Sequence, residues 1–184
     1  MSIAGECLHS PFRCIMSFIE RFFPDEYLDS AYDVDYEKLY KEGKRGIIFD
    51  IDNTLVEHGA PANDRSRGLF SRLFDIGFKC LVLSNNKKPR VESFAKGISD
   101  KLLYIHKADK PLKKGYLRAL EMLGTGIEET VYVGDQIFTD VWGAKRMGIY
   151  SILTRPIDPR EEIQIVLKRR LEAPVLRKFM EERS

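Results

Sequence analysis

The chain is poor in the residues that announce thiol or soft-metal chemistry: 184 residues hold three cysteines, three histidines and one tryptophan. Cys7, Cys14 and Cys80 are odd in number and lack metal-type spacing, which speaks against a disulfide framework and reads as free thiols in a reducing compartment. No apolar run approaches the ~20 residues that a membrane-spanning helix needs. Near the N-terminus Glu6, His9, Pro11, Arg13, Glu20 and Arg21 break any continuous apolar stretch, so no secretory signal and a cytoplasmic location are expected. Neither sign of charge dominates. Thirty Lys+Arg against 28 Asp+Glu leave a formal charge of +2, which argues against a general nucleic-acid binder.

What remains is a composition suited to one folded domain, with 43% hydrophobic and 32% charged residues. From residue 46 onward, short apolar runs alternate with amphipathic stretches. Strands are expected at 46–51 (GIIFDI), 78–83 (FKCLVL), 102–106 (LLYIH), 130–134 (TVYVG) and 149–153 (IYSIL). Helices are expected at 64–76, 89–96, 111–123 and 138–147, with Pro89 and Pro111 as first-turn residues. Five strands separated by helices predict an α/β fold with a parallel sheet covered on both faces.

Ligands of such sheets bind beyond the carboxyl ends of the strands. Asp50 and Asp52 fall at the end of the first expected strand, Ser84 and Asn85 at the end of the second, and Gly134 and Asp135 at the end of the fourth. Lys110 opens the helix after the third. Alone, Asp50-Ile51-Asp52-Asn53-Thr54 reads equally well as a turn or as a carboxylate pair that needs a cation or a shared proton. The segment from Asp135 to Asp140 brings a second acidic group to the same edge, although its Asp140 also suits a helix first turn. Carboxylates without accompanying His or Cys describe a Mg²⁺ site better than a soft-metal one. A hydroxyl at Ser84 opposite the Lys110 ammonium supplies the complementary half, a cradle for phosphoryl oxygens.

Taken together, these segments resemble the four motifs of the haloacid dehalogenase (HAD) superfamily in its phosphatase branch. Asp50-Ile51-Asp52-Asn53-Thr54 is similar to the DxDxT signature and Ser84-Asn85-Asn86 to the Ser/Thr motif. Lys110-Pro111 is similar to the lysine motif, and Gly134-Asp135 through Asp140 to GDxxxxD. A closer similarity, carried by Phe23-Pro24-Asp25-Glu26-Tyr27, Asp33-Val34-Asp35, Lys44 to Val56 and Gly134-Asp135-Gln136, is to the YqeG-like group. The resemblance implies a HAD-like Rossmannoid three-layer sandwich around a five-stranded parallel sheet. The intervals between the motifs are too short for a cap domain. Residues 1–22 are expected to form an N-terminal amphipathic extension, and 23–184 a single domain.

The resemblance also implies roles. Asp50 is the expected nucleophile, forming an aspartyl-phosphate, and Asp52 the general acid and then base. Asn53, Thr54, Ser84, Asn85 and Lys110 are expected to bind the phosphate. Mg²⁺ is expected on Asp50, the Asp52 backbone carbonyl and Asp135, with Asp140 in support through Lys110 or a metal-bound water. The resulting expectation is a Mg²⁺-dependent phosphomonoester hydrolase acting on phosphatidylglycerophosphate. A protein or nucleotide phosphatase and a non-catalytic phosphate-binding module are the alternatives. An uncapped site, lysines at 101–118 and after Ser84, and an apolar stripe of Phe12, Ile15, Phe18 or Ile19, Phe22 and Phe23 fit a phospholipid head group and peripheral contact with the inner membrane face. For the stripe, packing on the domain is the competing reading. An oligomer is compatible with the C-terminal stretch 156–184. His58 reads as a loop histidine and Trp142 as a packing residue.

Overall fold

The pairing that organises the molecule is parallel throughout. In the computed structural model, which describes residues 18–158 and 163–183 with side chains of the latter segment from residue 170, six strands form one sheet. These are β1 (Glu26–Leu28), β2 (Gly46–Phe49), β3 (Lys79–Leu83), β4 (Leu103–Ile105), β5 (Thr130–Gly134) and β6 (Tyr150–Thr154), in the order β1-β6-β5-β2-β3-β4. Helices α1 (Tyr36–Lys41), α2 (Asp64–Ile76), α3 (Lys88–Ile98), α4 (Lys113–Leu123), α5 (Trp142–Lys145) and α6 (Ile163–Glu181) connect or follow them. Cys7, Cys14, the stripe positions Phe12 and Ile15, and residues 159–162 lie outside the described residues.

The sheet has six strands where the alternation of apolar runs predicts five. The additional strand, β1, pairs Glu26 with Ile152 and Leu28 with Thr154. It is three residues long, half-buried along its length, and defined by a partner more than 120 positions away in the chain. No local periodicity could mark it. The helix expected at 138–147 also divides: a π-helical turn covers Ile137–Val141 and α5 continues from Trp142.

Alternation along the central strands sorts their side chains between two layers. Ile47, Phe49 and Ile51 pack with Leu69, Phe70 and Leu73 of α2 and Val91 and Phe94 of α3. Ile48, Leu81, Leu83 and Tyr132 face Tyr116, Ala119, Leu120 and Leu123 of α4. Each fully buried aliphatic or aromatic side chain in these layers stabilises the fold by roughly 1.5–3 kcal/mol. α2 starts where its pattern predicts because Asn63 and Ser66 form a reciprocal capping box, and it stops at Gly77, whose φ of 107° suits glycine. Because α2 and α3 cover one face and α4 the other, the winding reverses beside β2. That reversal opens a crevice at the carboxyl ends of β2 and β5.

Against the opposite flank, Ile137, Val141, Leu153 and Val175 form a smaller apolar cluster that Ile19, Phe22 and Phe23 join. The Phe22 ring packs 5.3 Å from Phe138 and 5.4 Å from Trp142. The described part of the expected extension therefore lies on the domain, and Trp142 packs there as expected. Among the described residues no helix is long and apolar enough to cross a membrane.

Candidate active site

Every candidate residue of the four motifs reaches the carboxyl edge of the sheet. β2 hands its chain to Asp50, whose N–H still donates to Val133 of β5 at 2.9 Å. The chain then turns sharply, with Asn53 at φ 64° and its N–H donating to Val56. Asparagine tolerates this left-handed conformation better than most residues. The turn carries Thr54 back over the sheet, where its hydroxyl donates to Asp135 Oδ1 at 3.0 Å.

On the neighbouring strand, Ser84 follows β3 with its N–H bonded to Ile105 of β4, and its Oγ accepts from Asn86 N at 3.1 Å. Asn85 clamps the lysine segment from both sides: its Oδ1 accepts from Lys110 N at 2.7 Å and its Nδ2 donates to Lys110 O at 3.1 Å. Lys110 is thereby fixed at the backbone before its side chain enters the site. Its Nζ donates to Asp50 Oδ1 at 2.6 Å, Asp140 Oδ1 at 2.7 Å and the Tyr132 hydroxyl at 3.0 Å. Three acceptors saturate the three N–H groups of an ammonium.

Asp140 is committed to the protein through both oxygens. Oδ1 also accepts from the Tyr132 hydroxyl at 2.9 Å, and Oδ2 accepts from Gln136 N at 3.1 Å. This arrangement needs Gly134, since a Cβ there would stand 2.6 Å from Asp140 Oδ2. Asp140 therefore holds Lys110 through Oδ1. Asp52 sits nearer the mouth. Its Oδ1 accepts from Gly59 N at 2.7 Å and Arg90 Nη2 at 2.8 Å, and its Oδ2 accepts from Asn86 Nδ2 at 2.6 Å.

Charge is unbalanced at the base of the site. Oxygens of Asp50, Asp135 and Asp140 lie within 4.8 Å of one another, all three residues are buried, and Lys110 is the cation among them. Burial pushes the Asp50 carboxyl up from 3.8 to about 8, with Asp140 and Asp135 adding to the rise and Lys110 opposing it. Burial alone would neutralise Lys110, but Asp140 and Asp50 outweigh it and hold the ammonium charged beyond the usual lysine range. Crowded, buried oxygen donors with too little positive charge fit a hard divalent cation.

A cavity of about 190 Å³ opens over this base, lined by Asp50, Asp52, Asn53, Ser84, Asn85, Lys110 and four residues the motif reading passed over or left unassigned: His58, Asn86, Gln136 and Thr139. Thr54, Asp135 and Asp140 lie beneath that lining, and Tyr132 behind Lys110. Tyr132 carried a local signal, a tyrosine in an otherwise small and branched strand two residues before Gly134, hence on the same face. His58 and Arg90 carried none that local sequence could supply.

Known proteins share both sequence and fold with this chain. Residues 57–148, half of its length, match the haloacid dehalogenase-like hydrolase family. The protein described as probable phosphatase YqeG of Bacillus subtilis is 35% identical over 156 residues, covering 84% of this chain and 90% of that protein. Phosphatidylglycerophosphate phosphatase 1, chloroplastic/mitochondrial, of Arabidopsis thaliana is 29% identical over 164 residues, covering 80% of this chain but 45% of the plant protein. The crystal structure of an uncharacterized protein from Listeria monocytogenes serotype 4b matches in fold, with a TM-score of 0.50 and 20% identity over 64% of this chain and 85% of that one. Sequence, topology and the convergence of the four motifs agree: the chain belongs to the haloacid dehalogenase-like hydrolase family, as an enzyme of its phosphatase type.

Proposed function

We propose that this enzyme is a Mg²⁺-dependent phosphomonoesterase that works through an aspartyl-phosphate on Asp50 and acts on a phosphatidylglycerophosphate-like lipid. The observation that carries the reading is the placement of Asp50. It is a buried carboxylate at the reversal point of the sheet, at the base of a cavity whose wall presents Ser84 and Lys110. Asp50 and Asp135, with the Asp52 backbone carbonyl, would hold the cation. When bound, it offsets the carboxylates' mutual repulsion and the charge of the phosphoryl group.

Asp50 attacks phosphorus in line with the departing oxygen, and Asp52 protonates that oxygen before activating the water that hydrolyses the acyl phosphate. Lys110 stays anchored by Asp140 and Tyr132 while stabilising charge on the phosphoryl oxygens. Ser84 and the backbone around Asn53 and Thr54 complete the cradle. Asn85 contributes by keeping Lys110 in place.

The substrate assignment is supported by the plant relative and by the approach to the cavity. Between Asp52 and Ser84 the chain places a loop, α2 and β3, and between Ser84 and Lys110 it places α3 and β4. We read the site as uncapped, within a domain spanning 23–184, and reachable by a phosphate on a large partner. Exposed Lys87, Lys88, Lys107 and Lys113, with Leu112 at 57% exposed, lie within three positions in the chain of the cavity residues Asn86 and Lys110. Basic side chains around an apolar one suit a peripheral, anionic membrane face such as the inner leaflet surface.

The test is phosphate release by the purified chain with Mg²⁺. Phosphatidylglycerophosphate in mixed micelles is compared with phosphopeptides, nucleotides and sugar phosphates at equal phosphomonoester concentration. Preference for the lipid supports the assignment. Faster turnover of soluble sugar phosphates overturns the lipid assignment, and no turnover of any ester overturns the phosphomonoesterase.

A further inference from the structure

The general acid proposed for this reaction is held by a residue to which nothing yet assigns a part. Arg90 lies in the first turn of α3, and its Nη2 reaches across 38 positions of sequence to Asp52 Oδ1 at 2.8 Å. The pair is mostly shielded, with 19% of the Arg90 side chain and 11% of the Asp52 side chain exposed. Arg90 Nε is buried without a hydrogen-bond partner among the described residues, so the guanidinium's hydrogen bond there is the one to Asp52. The Phe94 ring, 5.7 Å from the guanidinium carbon, supports it from the next turn of the same helix.

The two Asp52 oxygens are treated differently. Oδ1 takes two donors, Arg90 and the Gly59 N–H, and one of them is charged. Oδ2 takes one neutral donor, the Asn86 amide, whose residue lines the cavity. A carboxyl fixed through one oxygen presents the other in a set direction, and proton transfer depends steeply on that direction.

We propose that Arg90 is a positioning residue for Asp52: it anchors Oδ1 so that Oδ2 is the oxygen that carries and delivers the proton. This rests on the phosphomonoesterase reading. As the bond from Asp50 to phosphorus forms, the bond from phosphorus to the ester oxygen breaks. Its electron pair stays on that oxygen, which takes the proton from Asp52 Oδ2. The resulting Asp52 carboxylate faces the guanidinium.

The experiment exploits leaving groups. An aryl phosphate such as p-nitrophenyl phosphate releases a stable phenolate and needs little protonation, whereas an alkyl phosphate such as glycerol 3-phosphate needs the acid. General acid–base groups contribute about 10²–10⁴-fold. Arg90→Gln should therefore lower kcat for the alkyl ester by roughly 10–100-fold and for the aryl ester by less than about threefold. Arg90→Lys should recover part of the alkyl rate. In an Asp52→Asn background, Arg90→Gln should add almost nothing further, because the group it positions is gone.

A merely structural role for Arg90 would lower both rates together, and that result overturns the inference, as does an additive double variant. If Arg90→Gln fails to fold, Arg90→Lys and the cycle with Asp52→Asn carry the same decision. A wild-type enzyme inactive on both esters and on the lipid in mixed micelles overturns the phosphomonoesterase itself. A wild type active on both, with Arg90 variants that do not separate them, overturns only the role of Arg90.

Discussion

Two Asp–Lys pairs stand at opposite edges of the sheet, and they are built for opposite ends. Beside the start of β6, Asp25 meets Lys145 at 2.8 Å, while its second oxygen accepts from Ser151 N at 2.8 Å and Ser151 Oγ at 2.9 Å. One carboxylate meets one ammonium there, with 26% and 32% of the side chains exposed. At the other edge Lys110 meets Asp50 with side chains only 4% and 10% exposed, and Asp135 and Asp140 crowd the same spot. The same residue types make a fastener where charge balances and a reactive centre where it does not. Imbalance held in place by surrounding packing is the structural mark of the site.

The largest expected effect separates the two edges by activity. Asp50→Asn should abolish phosphate release, by roughly 10⁴-fold or more, as loss of a nucleophile does in other hydrolases. Asp25→Asn should leave the rate within about threefold, since it touches no group that would contact substrate. It should destabilise the fold by about 1–2 kcal/mol through its weakened ties to Lys145 and Ser151. Steady-state assays and thermal melts on both variants read this directly. A catalytically impaired Asp25→Asn would erase the distinction.

Stability should move the other way at the site. Asp50 titrates at 3.8 ordinarily and is raised to about 8 by burial in the folded chain. An acid so raised binds its proton more tightly folded than unfolded, so the metal-free protein loses stability as pH climbs from about 4 to 8. Asp50→Asn removes that charge. Its metal-free form should be more stable than wild type at pH 8, with the difference vanishing near pH 4. Asp25→Asn should melt below wild type at pH 8. A melting temperature for Asp50→Asn below wild type at pH 8 would mean that the carboxylate is fully neutralised by Lys110.

Divalent cation should sharpen the contrast further. Mg²⁺ at about 100 times its dissociation constant should stabilise wild type by about 2–3 kcal/mol. The shift should disappear in Asp50→Asn, shrink in Asp135→Asn and persist in Asp25→Asn. An equal shift in Asp50→Asn would place the ion elsewhere.

Much of this was legible from local pattern. Covered parallel strands are continuous apolar runs, so β2, β3 and β5 stand out, and the strand-exit rule carries Asp50, Ser84 and Asp135 to one edge. What stayed hidden depends on distant partners. β1 becomes a strand only through β6. Tyr132 stands out locally only as a tyrosine among small and branched residues, and its role comes from Lys110 and Asp140 beside its hydroxyl. Arg90 reads as one of several basic residues after Ser84, because the carboxylate it serves lies 38 positions earlier. Lys110 is singled out by its motif, but its contact with the Tyr132 hydroxyl is not.

The smallest effects should come from a matched pair of serines. Ser84 lines the cavity and accepts from Asn86 N at 3.1 Å. Ser151 is fully buried and donates to Asp25 Oδ2, an oxygen that keeps the Ser151 N–H as a second donor after side-chain truncation. Ser151→Ala should therefore cost only about 0.5–1.5 kcal/mol in a thermal or urea melt and leave kcat and KM unchanged. Ser84→Ala should hold stability to a similar degree but raise KM several-fold, because a hydroxyl facing phosphoryl oxygens is lost. If Ser151→Ala instead slowed turnover, strain would have to pass from the Asp25 edge along β6 and β5 to Asp135, and the two edges would form one coupled unit. If both serines proved silent in activity, the phosphate cradle would rest on Lys110 and backbone N–H groups alone, and charge rather than hydroxyl donation would define how this site grips its ester.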